Sequence, residues 1–506
     1  MSEHGGPGPV AAGDEGGRGL VAAGHELTAE AGARALREGG NAVDAAVAAM
    51  LTSFVAEPLL TGLGSGGYML VAGKDTRPTL LDFFVSAPGL GLGEHVRAEL
   101  VPIDVSFGDA VQVFHVGAAS CGPYGAPAGA CAAIARWGSL PLADLAAPAA
   151  ALARDGVALN AEQAYVAEIL SDLLVSTPEC SALWAPHGRV LREGEVIVDP
   201  ALGDALERLG RDGAAPFYEG DIAASVCEWV KARGGTLTPQ DLASYEAIER
   251  EPARAPYRGR ELLTNPPPSA GGILLAYALA LLDRTPGPPP DLRLVEVMEA
   301  TQAERTPEFM EGLAEEGFLE RFLASRLGST THISVVDGDG LACSVTCTNG
   351  EGSGIVVPGT GLHLNNIMGE QDLSPLGFHR HAPGVRMPSM MAPSVVLREG
   401  EVELVLGSAG SNRIRSALLQ TIIGVVDHGL DAGAAVRAPR LHFEDGLVYV
   451  EPGIDPVPLE EAGRTVARFR RLNLFFGGVQ AIQRDPDTGF ASGAGDPRRG
   501  GVAVSA

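Results

Sequence analysis

The stretch from Gly328 to Cys347, GSTTHISVVDGDGLACSVTC, constrains the fold more than any other part of the chain. Two segments of strand-like alternation flank a Gly-Asp-Gly turn, which predicts a β-hairpin. It opens on two adjacent threonines, and the chain changes character there. From Thr330 onward, THISVVD, LACSVTC, PSVVLRE and EVELVLGS all read as strands. Before Thr330 the periodicity is mostly helical. This pattern predicts an α+β or α/β fold built of stacked layers. No internal repeat of fixed period interrupts it.

The preceding part divides by its caps and breakers. Residues 1–24 are Gly-rich and polar and read as a flexible tail. From His25 a helix is expected, with Thr28 as a cap and Gly39-Gly40 as its stop. Asn41 then starts a second helix, and VDAAVAAMLTSFV is apolar almost all round, so that helix should be buried. TGLGSGGYMLVAG follows. Its glycines come after a helix and before a strand, the reverse of the strand–glycine–helix order of a dinucleotide fingerprint. Residues 80–150 read as alternating short strands and turns, and residues 138–290 as mostly helical. In NPPPSAGGILLAYALALL, Ser269 is a candidate cap for an apolar helix. Residues 292–327 read as charged amphipathic helices.

Charge and composition exclude several functions. The 506-residue chain carries a net charge of −26, which repels phosphate backbones and anionic membrane surfaces. No nucleic-acid or membrane partner is expected, and no apolar stretch is long enough to span a bilayer. The N-terminal sequence shows neither a basic nor an apolar signal region, so a cytoplasmic location is expected. Cys121, Cys131, Cys180, Cys227, Cys343 and Cys347 are scattered and form no disulfide framework. Cys343 and Cys347 would share one strand face without a second ligand pair, so no metal is expected, and no cofactor. The 67 glycines and 36 prolines suit a fold with many tight turns and close backbone approaches.

The threonine pair has two readings. Thr favours strands and strand entrances, which is a structural explanation. Alternatively, one threonine is a nucleophile. Its hydroxyl needs a base, and its own α-amine serves only if the chain is cut before it. That amine has a pKa near ~7.7–8.0, suited to proton transfer near neutral pH. The hydroxyl can make the cut itself by attacking the preceding carbonyl. Such a site also needs an oxyanion hole. The strand VELVL ends in Gly407-Ser408-Ala409-Gly410-Ser411-Asn412 before a helix, where backbone N–H groups can hold negative charge.

Several motifs, taken in order, resemble the γ-glutamyltransferase family of N-terminal-nucleophile hydrolases. GGNAVDAAVA and GLGSGGYMLV resemble its N-terminal signature. FYEGDIA, GGTLTPQDLASY and NPPPSAGG resemble its middle. TTHISVVD, GTGLHLNN, GSAGSNRI and the final GDPR resemble its C-terminal half. The likeness runs from about His25 to Arg498. It implies a four-layer αββα sandwich made as a precursor and cleaved before Thr330. Residues 25–329 would form the large subunit and residues 330–506 the strand-rich small one. Thr330 would be the nucleophile, Thr348 the residue holding the new α-amine, and Gly410 with Ser411 the oxyanion pair, where the family usually has two glycines. His332 reads as a packed core histidine.

By the same match, Phe84, Asn349, Glu370, Ser389 and Met390 would form the substrate pocket. It departs from the family pattern. Phe84, in LDFFVSAPG, stands where the family places a carboxylate-binding arginine, and a ring cannot make that bidentate pair. Gly369-Glu370 replaces an Asp-Asp pair, and Ser389-Met390 replaces Ser-Ser. Arg380 and Arg386 are candidate substitute cations. The expected function is a hydrolase or acyltransferase acting on a γ-glutamyl-like amide through an acyl-enzyme, with altered acyl recognition. The expected partners are a small-molecule donor and water or an amine as acceptor. The processed subunits could form a homo-oligomer. The alternatives are an acylase or a C–C bond hydrolase of antibiotic biosynthesis on the same scaffold, and an unprocessed, non-catalytic homologue.

Overall fold

The computed structural model describes residues 17–93, 98–106, 111–303, 331–374 and 377–506. Thr330 and the Ser329–Thr330 bond lie outside the described residues, as do most of the helices expected over 292–327. The first part of the chain supplies strands β1 (Gly19–Ala23), β2 (Gly66–Gly73), β3 (Thr76–Phe83), β4 (Ile248–Arg250), β5 (Ala253–Tyr257) and β6 (Arg260–Thr264). The predicted hairpin is β7 (Thr331–Asp337) and β8 (Ala342–Thr348). Strands β9 (Ser394–Arg398), β10 (Glu401–Ala409), β11 (Gly478–Arg484), β12 (Ala491–Ala494) and β13 (Val502–Ser505) follow. They build a seven-stranded sheet, β13-β1-β7-β8-β2-β3-β4, and a six-stranded sheet, β12-β11-β10-β9-β6-β5. Neighbours run antiparallel throughout both sheets.

The hairpin is the centre of the first sheet. Thr331 lies opposite Cys347 and Val336 opposite Ala342. Because strand side chains alternate, this register sends Ile333, Val335, Cys343, Val345 and Cys347 to one face. There they pack with helices α1 (Glu26–Arg37) and α2 (Ala42–Ala56) in one apolar core. The other face meets the second sheet. Ser334 Oγ donates to the Gln480 carbonyl (3.1 Å) and Ser344 Oγ to the Leu406 carbonyl (3.2 Å), tying β7 to β11 and β8 to β10. His332 is the core histidine expected. It is 1% exposed, with Nδ1 at 2.8 Å from Thr346 Oγ1 and Nε2 at 3.0 Å from Ser334 Oγ. Its ring fills the space above Gly407 on β10, where a Cβ would collide with it.

Local signals explain the helices. Every residue of α2 is buried, and Asn41 caps it in a reciprocal box with Asp44. Further along are α3 (Ala126–Trp137), α4 (Ala161–Ile169), α5 (Pro178–Trp184), α6 (Ala270–Asp283), α7 (Asp291–Ala303) and α8 (Arg413–Val426). Helices α6 and α8 cover the second sheet on the side away from the first.

Four expectations need correction. The tail does not extend to residue 24, because Gly19–Ala23 is β1, paired on both edges. His25 caps α1 through Nδ1, while Thr28 sits inside the helix with its hydroxyl on Glu57 (2.9 Å). Residues 138–290 are mostly helical, as expected, and also supply β4, β5 and β6. Helix α3 falls in the region read as strands and turns. Ser269 precedes α6 but makes no side-chain cap; its hydroxyl instead donates to the Ser389 and Met391 carbonyls (2.9 and 3.0 Å).

Gly407 sets how closely the two sheets approach. Gly407→Val is expected to force β10 off the His332 ring and cost about 1–3 kcal/mol, the usual range for overpacking. Urea unfolding would read the loss. In combination with His332→Ala the penalty should shrink, because the clash partner is gone.

Candidate active site

The ends of α2, β8 and β10, near the start of β7, build the site. Thr331 is 3% exposed, and its hydroxyl donates to Glu57 Oε2 (2.8 Å). Glu57 follows α2 directly, so the buried helix delivers a carboxylate to the hairpin's first described residue. Thr28 of α1 donates to its other oxygen, Oε1 (2.9 Å). Burial raises the Glu57 pKa above the ordinary value of 4.5; the hydrogen bonds from Thr331 and Thr28 and the charge of Arg499 oppose that rise without cancelling it.

Thr348 ends β8, opposite Gly66 of β2, and its Oγ1 accepts from the Gly350 N–H (2.8 Å). The turn that follows is built of polar links. The Asn349 N–H donates to the Leu60 carbonyl (3.0 Å), and Nδ2 donates to the His363 carbonyl (3.0 Å). The Asn366 N–H donates to the Asn349 carbonyl (3.1 Å), and Asn366 Oδ1 accepts from the Glu351 N–H (3.0 Å). Gly350 has φ 65°, and a Cβ there would meet the Asn366 amide and the Glu370 carboxylate. Only glycine lets these two side chains close over the turn. Asn349 Oδ1 and Asn366 Nδ2 are buried without a hydrogen-bond partner among the described residues, an exception to the rule that buried polar groups are paired.

The strand-to-helix turn has the expected form. β10 runs to Ala409 and α8 begins at Arg413. Gly410 has φ 114° and Ser411 φ 56°. Ser411 is therefore a non-glycine residue in the left-handed region, a conformation that costs on the order of 1 kcal/mol and concentrates at functional sites. Arg499 lies against this turn: a Cβ added at Gly410 would stand 3.4 Å from its Nη2. The guanidinium feels the charges of Glu57 and Glu351, which links the turn electrostatically to the other two parts of the site. Burial, and next the repulsion of Arg413, push its pKa down to about 10.

The other candidates lie elsewhere. Phe84 is 0% exposed, its ring stacked on Tyr68 with centroids 5.5 Å apart. Met387 and Met390 belong to the same apolar cluster, together with Ile367 and Leu373. Ser389 Oγ accepts from the Met391 N–H (3.1 Å). Arg386 is engaged: Nε stands 3.3 Å from Asp82 Oδ1, Nη1 donates to the Phe84 carbonyl (2.6 Å) and Nη2 to the Glu246 carbonyl (2.6 Å). Arg380 is exposed. Glu57 and Arg499 were missed in the sequence. A charged residue closing a mostly apolar, wholly buried helix is the signal for Glu57; for Arg499 there is only its place after the final GDPR. Among the described residues no group of three or more His, Cys, Asp or Glu side chains could hold a metal, and no helix is long and apolar enough to cross a membrane.

Comparison with known proteins decides the family. The sequence matches the Gamma-glutamyltranspeptidase family over residues 28–317 and 315–506. The chain belongs to the γ-glutamyltranspeptidase family. It is accordingly an enzyme of the γ-glutamyltransferase and hydrolase kind. It is similar to an acylase ACY 1 proenzyme of Pseudomonas sp. (strain SE83), with 32% identity over 97% of this chain and 94% of the relative. It is also similar to the glutathione hydrolase proenzyme of Escherichia coli (strain K12), with 31% identity over 95% of this chain and 90% of the relative. Among solved structures, the cephalosporin acylase of Bacillus halodurans superposes with a TM-score of 0.85 at 26% identity, over 100% of this chain and 98% of that one.

For this γ-glutamyltranspeptidase-family enzyme, the raised Glu57 pKa has a definite sign. Between its unfolded and folded pKa values the folded state binds more protons, so its contribution to stability is present at low pH and lost as pH rises through that window. Glu57→Gln lacks this titration. The unfolding free energy of wild type minus that of the variant should therefore fall as pH rises from about 4.5 and level off above the folded pKa. Chemical denaturation across pH checks it; a flat or rising difference would refute the assignment.

Proposed function

We propose that this enzyme is a self-processing N-terminal-threonine hydrolase or acyltransferase with an αββα four-layer sandwich, cleaving an amide through an acyl-enzyme on Thr330. The observation that carries the reading is the convergence of Glu57, the Thr348–Glu351 turn and the Gly410–Ser411 turn on the end of the hairpin that Thr330 precedes. In this reading Thr330 Oγ attacks the substrate carbonyl while its α-amine takes the hydroxyl proton. Thr348 holds that amine, and the backbone at Gly410–Ser411 receives the oxyanion. As the carbonyl re-forms, the C–N bond breaks and the leaving amine takes the proton from the Thr330 ammonium; water or an amine then resolves the ester. Relatives named as proenzymes support a precursor cut into two subunits. The cut is expected between Ser329 and Thr330. The wild type should give two bands on a denaturing gel, the smaller beginning at Thr330, and Thr330→Ala should remain one band. An uncut wild type, or a new terminus elsewhere, would refute the proposal.

Acyl recognition differs, in this reading, from that of a glutathione hydrolase. The position of the expected carboxylate-binding arginine is the buried Phe84, and Met387 and Met390 pack into the same cluster. Arg386 is spent on Asp82 and two backbone carbonyls, so it does not stand in. An acylase accepting a different acyl group therefore fits better than a γ-glutamyl enzyme, in keeping with the names of two similar proteins. γ-Glutamyl anilides should be poor substrates. Phe84→Arg should not rescue them: a charge placed in that cluster without a free partner should destabilise the fold by about 3 kcal/mol or more. Steady-state kinetics and thermal unfolding of the variant test both points. Efficient wild-type turnover of the anilide would overturn the altered recognition.

A further inference from the structure

A chamber opens beside the candidate centre. It is a partly open cleft of about 510 Å³, counted with the solvent at its mouth. Its body is apolar: Leu59 and Leu60 after α2, Leu159 and Val166 around α4, Trp184 at the end of α5, and Leu474. Glu57 and Arg499 also line it, the two groups that border the hairpin end and the Gly410–Ser411 turn. Leu60 also carries the carbonyl that holds Asn349. The chamber is thus continuous with the site and distinct from the cluster around Phe84.

The charges in the chamber are unequally committed. Arg498 is spent: it pairs with Glu451 and stands 3.2 Å from Asp496. Arg499 has no carboxylate within ion-pair distance among the described residues. Its one described hydrogen bond, Nη2 to the Leu474 carbonyl, is long at 3.4 Å, and its Nε is buried without a partner. Glu57 is engaged by two hydroxyls, and burial favours its neutral form. Burial likewise favours neutral His25. Glu162, half-buried on α4, is the remaining acid; it repels an anion from its side of the chamber. A guanidinium in the wall of a mainly apolar chamber suits a carboxylate carried on an apolar body, through a charge-assisted bidentate pair.

We propose that this chamber binds an apolar carboxylic acid group of the substrate, with Arg499 pairing its carboxylate and Leu159, Val166 and Trp184 enclosing its body. The assignment as a substrate subsite rests on the function proposed above. The binding itself does not, so it is measured where no turnover occurs. The probes are phenylacetate and, as the cationic counterpart of similar size, phenethylamine, titrated calorimetrically into full-length Thr330→Ala. Phenylacetate should bind saturably at one site, at least about tenfold more tightly than phenethylamine. Arg499→Gln in the same background should weaken it about tenfold or more, and Arg499→Lys less. Val166→Phe, which narrows the chamber, should weaken it as well. Circular dichroism checks each fold, and Val166→Phe and Arg499→Lys keep the test decisive if Arg499→Gln does not fold. Absent phenylacetate binding, a preference for phenethylamine, or an affinity indifferent to Arg499→Gln would overturn the proposal. Failure of the hydrolase reading would show differently: an uncut, inactive wild type whose phenylacetate binding is unchanged.

Discussion

Burial of one hairpin on both faces governs this structure. Strands β7 and β8 bury their odd-numbered residues under α1 and α2, and their even-numbered residues against β10 and β11. A strand pair so placed needs a layer on each side, and a one-residue slip would exchange the two faces. His332 shows how tightly the arrangement is held. A ring that could titrate on a surface is kept between the sheets, its two nitrogens on hydroxyls and its face over a glycine. Burial lowers its pKa to about 3, so it stays neutral and acts as packing.

Much of this was legible in local chemistry. The Gly-Asp-Gly turn and the alternation around it located the hairpin, and Asn41 with the largely apolar run after it located α2. Signals that depend on distant partners were not legible. Strands β5 and β6 are short and lie among helices, and only pairing with β9 makes them part of a sheet. His25 outcompeted Thr28 as a cap because Thr28 is drawn to Glu57, a residue fixed by the far end of α2.

The site divides along the same line. Thr348, Gly410 and Ser411 could be singled out by motif, and the turn at Gly410–Ser411 joins a strand to a helix as expected. Phe84 was singled out as a pocket residue, but the sequence does not show that its neighbours would be Tyr68 and Met390, which turn the position into core. Arg386 was a candidate anion holder until Asp82 claimed it. Arg499 carried no pattern of its own. Its place depends on Arg498 beside it, which a buried set of Glu451 and Asp496 holds inward.

The two sheets are woven from both ends of the chain. β1 lies between β7 and β13, and β6 hydrogen-bonds to β9. A chain cut anywhere between Ala303 and Thr331 would leave two fragments that share both sheets. Neither fragment could keep a sheet alone, so they would not part without unfolding. Once parted, they would no longer be tethered, and their reunion would depend on protein concentration and not on a fixed effective molarity. The intact chain meets this ordering problem once, as a single molecule. The cut form would be a kinetically trapped pair, easy to keep and hard to rebuild.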